Sequence, residues 1–203
     1  KYLWIRYNMA YSTIIKPSLH FNSKAYVGNG GTQSITGIGF QPDFIWLKNR
    51  DHTDWHWWND VLRGATKTIH SNKDNAESTQ ATSITAFDSD GFTLGNDASV
   101  NRNNDNFVSW NWKAGGSGSA NSDGATASTV SANSTSKFSI VKWTGTGSAT
   151  TVGHGLGVAP NTIFIKNLAD ANDWFVYSSA MGYRMSTPDP ETDYMKLNQT
   201  NAR

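Results

Sequence analysis

The feature that most constrains the fold of this chain is an internal repeat. The segments ITGIGFQPDFIWLKN at 35–49 and GHGLGVAPNTIFIKN at 153–167 match at a constant separation of 118 residues. The identical positions are Gly37, Gly39, Pro42, Ile45, Lys48 and Asn49, which recur as Gly155, Gly157, Pro160, Ile163, Lys166 and Asn167. Because these matches keep their order and are flanked by further similar segments, the chain is predicted to contain two related structural units.

Each unit has the sequence pattern of β structure. Short segments rich in Ile, Val, Phe, Trp and Thr alternate with Gly, Asn, Asp and Ser, which is typical of an all-β sandwich or barrel. The stretch FDSDGF at 87–92 predicts a hairpin turn, and 59–67 predicts at most one helical turn ended by Gly64. Strands are predicted near 24–28, 33–37, 43–49, 55–59, 66–70, 83–87, 91–95, 106–112, 137–144, 149–153, 161–167 and 173–178.

The repeat divides the chain into four predicted regions. They are an N-terminal extension (1–20), a first β-sandwich repeat (21–113), a Gly/Ser/Asn-rich linker or exposed meander (114–136) and a second, related repeat (137–203). The second repeat is shorter than the first. Either the second unit is truncated or the sequence is a fragment of a longer protein, and the fragment is the favoured interpretation. Residues 1–8 precede Met9, which resembles a natural start, and are left out of the fold argument.

Composition and charge exclude several classes of function. The formal charge is +1, from 17 basic and 16 acidic residues without a block of either sign. Neither nucleic acid nor a membrane surface is therefore a predicted partner. No apolar run is long enough for membrane insertion. Cysteine is absent, which excludes disulfides, thiolate chemistry and a cysteine zinc site.

The stretch DWHWWND at 54–60 contains three tryptophans and is the most conspicuous candidate site. As a strand, it places Trp55 and Trp57 on one face and His56 and Trp58 on the other. Trp55 and Trp57 are predicted to lie in the core, because the corresponding face is apolar in both repeats.

The second copy of this stretch is DWFVY at 173–177. Aligning the two Asp-Trp pairs places Phe175 and Tyr177 on the face of His56 and Trp58. Two interpretations of that face stay open: a strand packed on both sides, or a stacking surface for a sugar ring or a partner chain. On the second interpretation His56, Trp58, Phe175 and Tyr177 are ligand-binding candidates.

Other polar groups give weaker signals. Lys48 and Asn49 recur at a strand end, where they form either local hydrogen bonds or one wall of a ligand groove. His52 and His56 have helical i, i+4 spacing in a segment predicted as loop and strand, so no metal site is predicted. Asp88 and Asp90 belong to the hairpin turn, with a weak cation site as the alternative interpretation.

Catalytic motifs are missing from the sequence. The two glutamates, Glu77 and Glu191, lie in separate polar stretches, whereas glycoside hydrolysis needs two carboxylates facing each other. No nucleophile elbow or phosphate-binding loop occurs. The chain is predicted to be non-enzymatic and to need no cofactor.

Several segments resemble a known family. They are FNSKAYVGNGGTQSITGIGFQPDFIWLKNRD, RGATK, SITAFDSDGFTLG, FVSWNWKAGG and MAYSTIIKPS. The chain is similar over most of 9–178 to a repeat domain of unknown function in structural and tail-fibre-like proteins of marine bacteriophages. The resemblance implies a virion protein and, by analogy with neighbouring modules, a lectin-like jelly-roll sandwich. Fold analogy does not by itself give function.

The resulting functional expectation is a tail-fibre or receptor-binding component that adheres to host surface glycans. Its expected partners are other virion proteins, host carbohydrate and, by analogy with fibre proteins, two further copies in a trimer. Many weak contacts would then combine by avidity. The alternatives are a structural virion protein, such as a head decoration or fibre shaft, and a polysaccharide-degrading enzyme.

Overall fold

The fold is described by a computed structural model for residues 14–180 and 194–200; Met9 and residues 1–8 lie outside the described part. The only helical elements described are a 3-10 turn, Pro17–Leu19, and the four-residue helix α1, Ala98–Asn101. The all-β prediction is therefore confirmed. The strands are β1 (Phe21–Val27), β2 (Gln33–Thr36), β3 (Phe44–Asn49), β4 (Trp57–Asp60), β5 (Lys67–His70), β6 (Ser78–Thr79), β7 (Ile84–Asp88), β8 (Gly91–Leu94), β9 (Asn106–Trp112), β10 (Ser119–Asn121), β11 (Ser128–Asn133), β12 (Phe138–Trp143), β13 (Thr162–Ile165), β14 (Phe175–Ser178) and β15 (Met195–Lys196).

The first unit is a sandwich of two antiparallel sheets. One sheet has the order β1-β9-β3-β4-β5-β6 and the other has the order β2-β8-β7. Along β3, buried and half-buried residues alternate, so that Ile45 and Leu47 point inward from the larger sheet. Side chains from both sheets form one core cluster: Ile35, Ile38, Phe40, Ile45, Leu47, Trp57, Ile84, Phe92, Leu94, Val100 and Phe107.

The segment 59–67 does not form a helix. It contains the end of β4, a turn in which the Gly64 N–H donates to the Asp60 carbonyl (3.0 Å), and the start of β5. Gly64 has φ of +100°, the left-handed conformation in which glycine ends such turns. The predicted single turn and its end at Gly64 are confirmed.

The polar segment between β8 and β9 contains the helix α1. The Asp97 carboxylate caps this helix by accepting from the Ser99 N–H at 2.9 Å. Asn101 at its end is fully buried, and its amide donates to the carbonyls of Gly31 (2.6 Å) and Gly95 (2.8 Å). A helix this short has no apolar periodicity, so the sequence pattern could not reveal it.

Residues 114–136 are folded rather than a linker. They contain β10 and β11, which pair with β12 to form an antiparallel meander. The buried carboxylate of Asp43 accepts from the N–H groups of Ala114 (2.7 Å) and Gly116 (3.1 Å), and so ties the start of the meander to the first unit. Of the two interpretations of this segment, the structure supports the meander.

Strands β13-β14-β15 repeat the arrangement of β3-β4-β5. In the first unit the His56 N–H donates to the Asn72 side-chain oxygen, and in the second the Trp174 N–H donates to that of Asn198, both at 2.9 Å. The internal repeat therefore extends to residue 198, beyond the segments that sequence comparison matches. None of the described helices is long and apolar enough to span a membrane.

Candidate functional site

The outer face of the six-stranded sheet carries a continuous aromatic surface. Strand register places Trp46 opposite both Trp58 and Trp110. The ring centroids of Trp46 lie 5.2 Å from Trp58 and 5.6 Å from Trp110. Such tilted and edge-to-face pairs are favourable contacts between aromatic rings. We call the five residues of this surface, Phe44, Trp46, Trp58, Trp110 and Trp112, the aromatic face.

The second unit covers much of the aromatic face. Trp174 packs edge-on against Trp58 with centroids 4.7 Å apart, and Phe164 lies 5.6 Å from the same ring. Phe138 lies 6.0 Å from Trp112. As a result Trp58 is 5% exposed and Trp174 only 2% exposed. Trp58 is thus a buried contact between the two units.

Hydrogen bonds fix the position of Trp174. Its indole N–H donates to the carbonyls of His70 (3.0 Å) and Lys73 (3.1 Å), which belong to the first unit. Trp174 therefore supplies both apolar area and a directional contact to the first unit.

The predicted pairing of the two Asp-Trp sequences is wrong by one residue. In the structure Trp57 is opposite Leu47, and Phe175 is opposite Ile165, so Phe175 occupies the position of Trp57. A one-residue shift moves every side chain of a strand to the other face. The four candidates therefore do not form one surface: Trp58 faces the interface between the units, whereas Phe175 and Tyr177 lie on the opposite face of β14.

The two predicted core tryptophans have different environments. Trp57 is 4% exposed and belongs to the core of the first unit, as expected. Trp55 is 44% exposed, which contradicts its predicted burial. The reason is that β4 begins only at Trp57, so the alternation of a strand does not extend back to Trp55. The Lys73 ammonium lies 5.3 Å from the centroid of the Trp55 indole.

The histidines near this stretch serve the fold. The pKa of His56 is lowered by partial burial and by the charge of Lys48. Burial lowers the pKa of His70 from 6.5 to about 4, so the ring is neutral at physiological pH. The Nε2 atom of His52 lies 3.3 Å from the Oδ2 atom of Asp105. Among residues 14–180 and 194–200 no cluster of His, Asp and Glu is arranged to hold a metal.

Lys48 and Asn49 stabilise a loop. The Lys48 ammonium donates to the carbonyls of Asn49 and His52, and the fully buried Asn49 side chain accepts from the N–H groups of Asp51 (2.9 Å) and His52 (3.2 Å). The same bonds recur in the second unit, where Lys166 donates to Asn167 and Asp170. The recurrence of this pair thus reflects local hydrogen bonding, and the ligand-groove interpretation finds no support here.

Asp90 has a role that sequence reasoning missed. Its carboxylate, at the tip of the β7–β8 hairpin, accepts from the N–H groups of Gly37 (3.0 Å) and Gly39 (2.5 Å). These hydrogen bonds lower the pKa of Asp90. Gly37 and Gly39 have φ of +79° and +91°, conformations that glycine adopts without strain. Asp90 therefore anchors a hairpin, and the structure gives no support to the cation-site alternative.

Comparison with known proteins places the chain in a family. A family model described as Domain of unknown function (DUF7483) matches residues 16–203. The chain belongs to this family. No curated protein and no solved structure matches it. The DUF7483 match spans both units and the interface between them.

Arg63 binds two carboxylates of this DUF7483 chain. Arg63 donates through Nε to Asp60 (2.5 Å) and through Nη1 to Glu77 (3.5 Å). Glu77 is therefore held in an ion pair, and Glu191 lies outside the described residues.

Proposed function

We propose that this chain is a non-enzymatic structural component of a bacteriophage virion, in which two related β units pack through an aromatic interface. The observation that carries the proposal is the burial of Trp58 beneath Trp174. Trp58, a candidate for stacking on a sugar ring, is instead buried against the second unit. The virion setting rests on the resemblance to phage structural repeats and is tested separately.

Immunogold labelling tests the virion setting. Antibodies raised against the full chain should label intact particles purified from the phage that carries this gene. Label on the tail or the head supports a structural component and distinguishes the two locations. Recovery of the protein only from the particle-free fraction of the lysate would overturn the proposal.

Adhesion to host glycans is the second candidate, and Trp55 is the observation that favours it. Its indole is 44% exposed and lies beside the Lys73 ammonium. An exposed aromatic ring with polar neighbours suits stacking on a sugar. Glycan-array binding by the full chain that Trp55→Ala abolishes, and Trp143→Ala at another exposed indole leaves intact, would support adhesion. Equal binding by the wild type and Trp55→Ala would remove this candidate.

The non-enzymatic character has its own test. Incubation with host polysaccharide should leave viscosity and reducing ends unchanged. A fall in viscosity, with new reducing ends that increase with protein concentration, would make the chain an enzyme.

A further inference from the structure

The second unit exposes a face that its counterpart in the first unit buries. Ile45 and Leu47 are fully buried, whereas Ile163 and Ile165, at the same positions of the repeat, are 38% and 39% exposed. Two further pairs differ in the same way. Trp57 is 4% and Phe175 39% exposed, and Phe40 is 5% and Val158 50% exposed. The exposed apolar face is defined by Val158, Ile163, Ile165 and Phe175.

The first unit shows what covers such a face. There the buried positions share one core cluster with Ile84, Phe92 and Leu94 of the β7–β8 hairpin. That hairpin therefore supplies the apolar cover. Its tip carries Asp90, which the N–H groups of Gly37 and Gly39 bind. The first unit thus binds this hairpin through two independent features: its apolar face, and the N–H groups of Gly37 and Gly39.

The second unit retains both features. Gly155 and Gly157 repeat the glycine loop and keep its left-handed conformation, with φ of +69° and +67°. Among the described residues, none accepts a hydrogen bond from the N–H of Gly155 or Gly157. The intervening Leu156 N–H is satisfied by His154 Nδ1 at 3.2 Å.

A cavity lies beside the glycine loop. It is open, has a volume of about 430 Å³, and is lined by Gly155, Gly157, Val158, His154 and Asp123 among others. The Lys137 ammonium donates to the Leu156 carbonyl at 3.2 Å and adds positive charge beside the loop. Asp123 has the opposite sign, and its carboxylate accepts from the Asn121 amide at 2.8 Å. Backbone amides in such a concave arrangement bind anions.

We propose that the second unit is a receptor for a β-hairpin that carries an aspartate at its tip. The Gly155 and Gly157 amides receive the carboxylate, and the apolar side chains of the hairpin cover Ile163, Ile165 and Phe175. The bound hairpin has the apolar side chains and the tip aspartate of residues 84–94. It is a separate segment that lies outside the described residues. The inference goes beyond the structural role proposed above, and holds whether or not the chain belongs to a virion.

A synthetic hairpin tests this inference. The probe is residues 83–95, SITAFDSDGFTLG, labelled with a fluorophore and closed by a disulfide between added terminal cysteines. The full chain contains no cysteine, so disulfide exchange cannot interfere. Fluorescence anisotropy should show saturable binding. A probe with the Asp90→Asn change should bind about tenfold more weakly, because it loses charge-assisted hydrogen bonds.

Protein variants locate the binding site. Phe175→Ser should weaken binding of the probe at least about tenfold, through loss of buried apolar area. Trp55→Ser is the matched control, an exposed aromatic residue outside the proposed face, and should bind the probe as the wild type does. Hydrogen exchange should show protection of residues 155–157 and 163–165 when the probe is bound.

Several outcomes would overturn the proposal. They are the absence of binding, equal binding of the Asp90→Asn probe, and protection confined to the first unit. A second copy of the chain is the competing occupant. Sedimentation that shows a dimer for the wild type and a monomer for Phe175→Ser, with no probe binding, would assign the face to self-association.

Discussion

At the scale of single residues, burial rather than residue type decides what the tryptophans of DWHWWND do. Trp55 is exposed, Trp57 belongs to the core of one unit, and Trp58 lies between two units. Sequence reasoning identified the stretch as important and predicted the burial of Trp57. It could not assign Trp58, because the side chain that buries it, Trp174, is distant in sequence and approaches only in the folded molecule.

His70 makes stability depend on pH. Burial lowers its folded-state pKa from 6.5 to about 4, so the unfolded state takes up a proton first as the pH falls. The contribution of neutral His70 to the free energy of unfolding is therefore complete above about pH 6.5. It is lost as the pH falls toward 4. The denaturant concentration at the unfolding midpoint of the wild type should decrease as the pH is lowered from about 6.5 to about 4.

The control for this prediction is His70→Gln, which has no titratable group at that position. Relative to the wild type, this variant should be less stable at pH 7.5, and the difference should narrow as the pH approaches 4. A difference that stays constant across the window would contradict the assignment to His70.

At the scale of elements, the sequence predicted strands well where apolar and polar residues alternate or a turn is marked. The predicted strand 106–112 has the bounds of β9, and the FDSDGF turn joins β7 to β8. Three structural features could not be predicted from the sequence. The helix α1 is too short for a periodic pattern, the strands within 114–136 consist of small polar residues, and the start of β4 at Trp57 has no local signal. A one-residue slip in aligning the two Asp-Trp sequences placed Phe175 and Tyr177 on the wrong face.

Gly91 tests the packing of the β7–β8 hairpin. A Cβ atom at this position would lie 1.8 Å from the Ile35 carbonyl oxygen, so β2 has to move to accommodate any side chain. Gly91→Ala should lower the free energy of unfolding by about 1–3 kcal/mol, the usual cost of overpacking. Urea denaturation measures this change.

Gly145→Ala is the matched control, because a Cβ atom there has no heavy atom within 4 Å. It should alter the free energy of unfolding by less than about 0.5 kcal/mol. Equal effects of the two substitutions would show that β2 and β8 are not as close as the structure places them.

At the scale of the whole molecule, the chain consists of two related units that differ in what covers them. The first unit has a complete sandwich core, and the second contributes Trp174, Phe164 and Phe138 to the aromatic face of the first. The repeat was visible in the sequence as matching residues at a constant separation. The packing of one unit on the other was not, because a repeat shows that two units are alike and does not show which of their faces meet.

The central claim is that the aromatic face is an interface between units and not an open ligand surface. The most direct test is the free energy of unfolding of Trp174→Ala beside that of Trp55→Ala, both followed by urea denaturation. The structure predicts a loss of about 3–5 kcal/mol for Trp174→Ala, as for a buried tryptophan, and less than about 1 kcal/mol for the exposed Trp55. A Trp174→Ala variant as stable as the wild type would contradict the claim, because Trp58 would then not depend on the second unit for its burial.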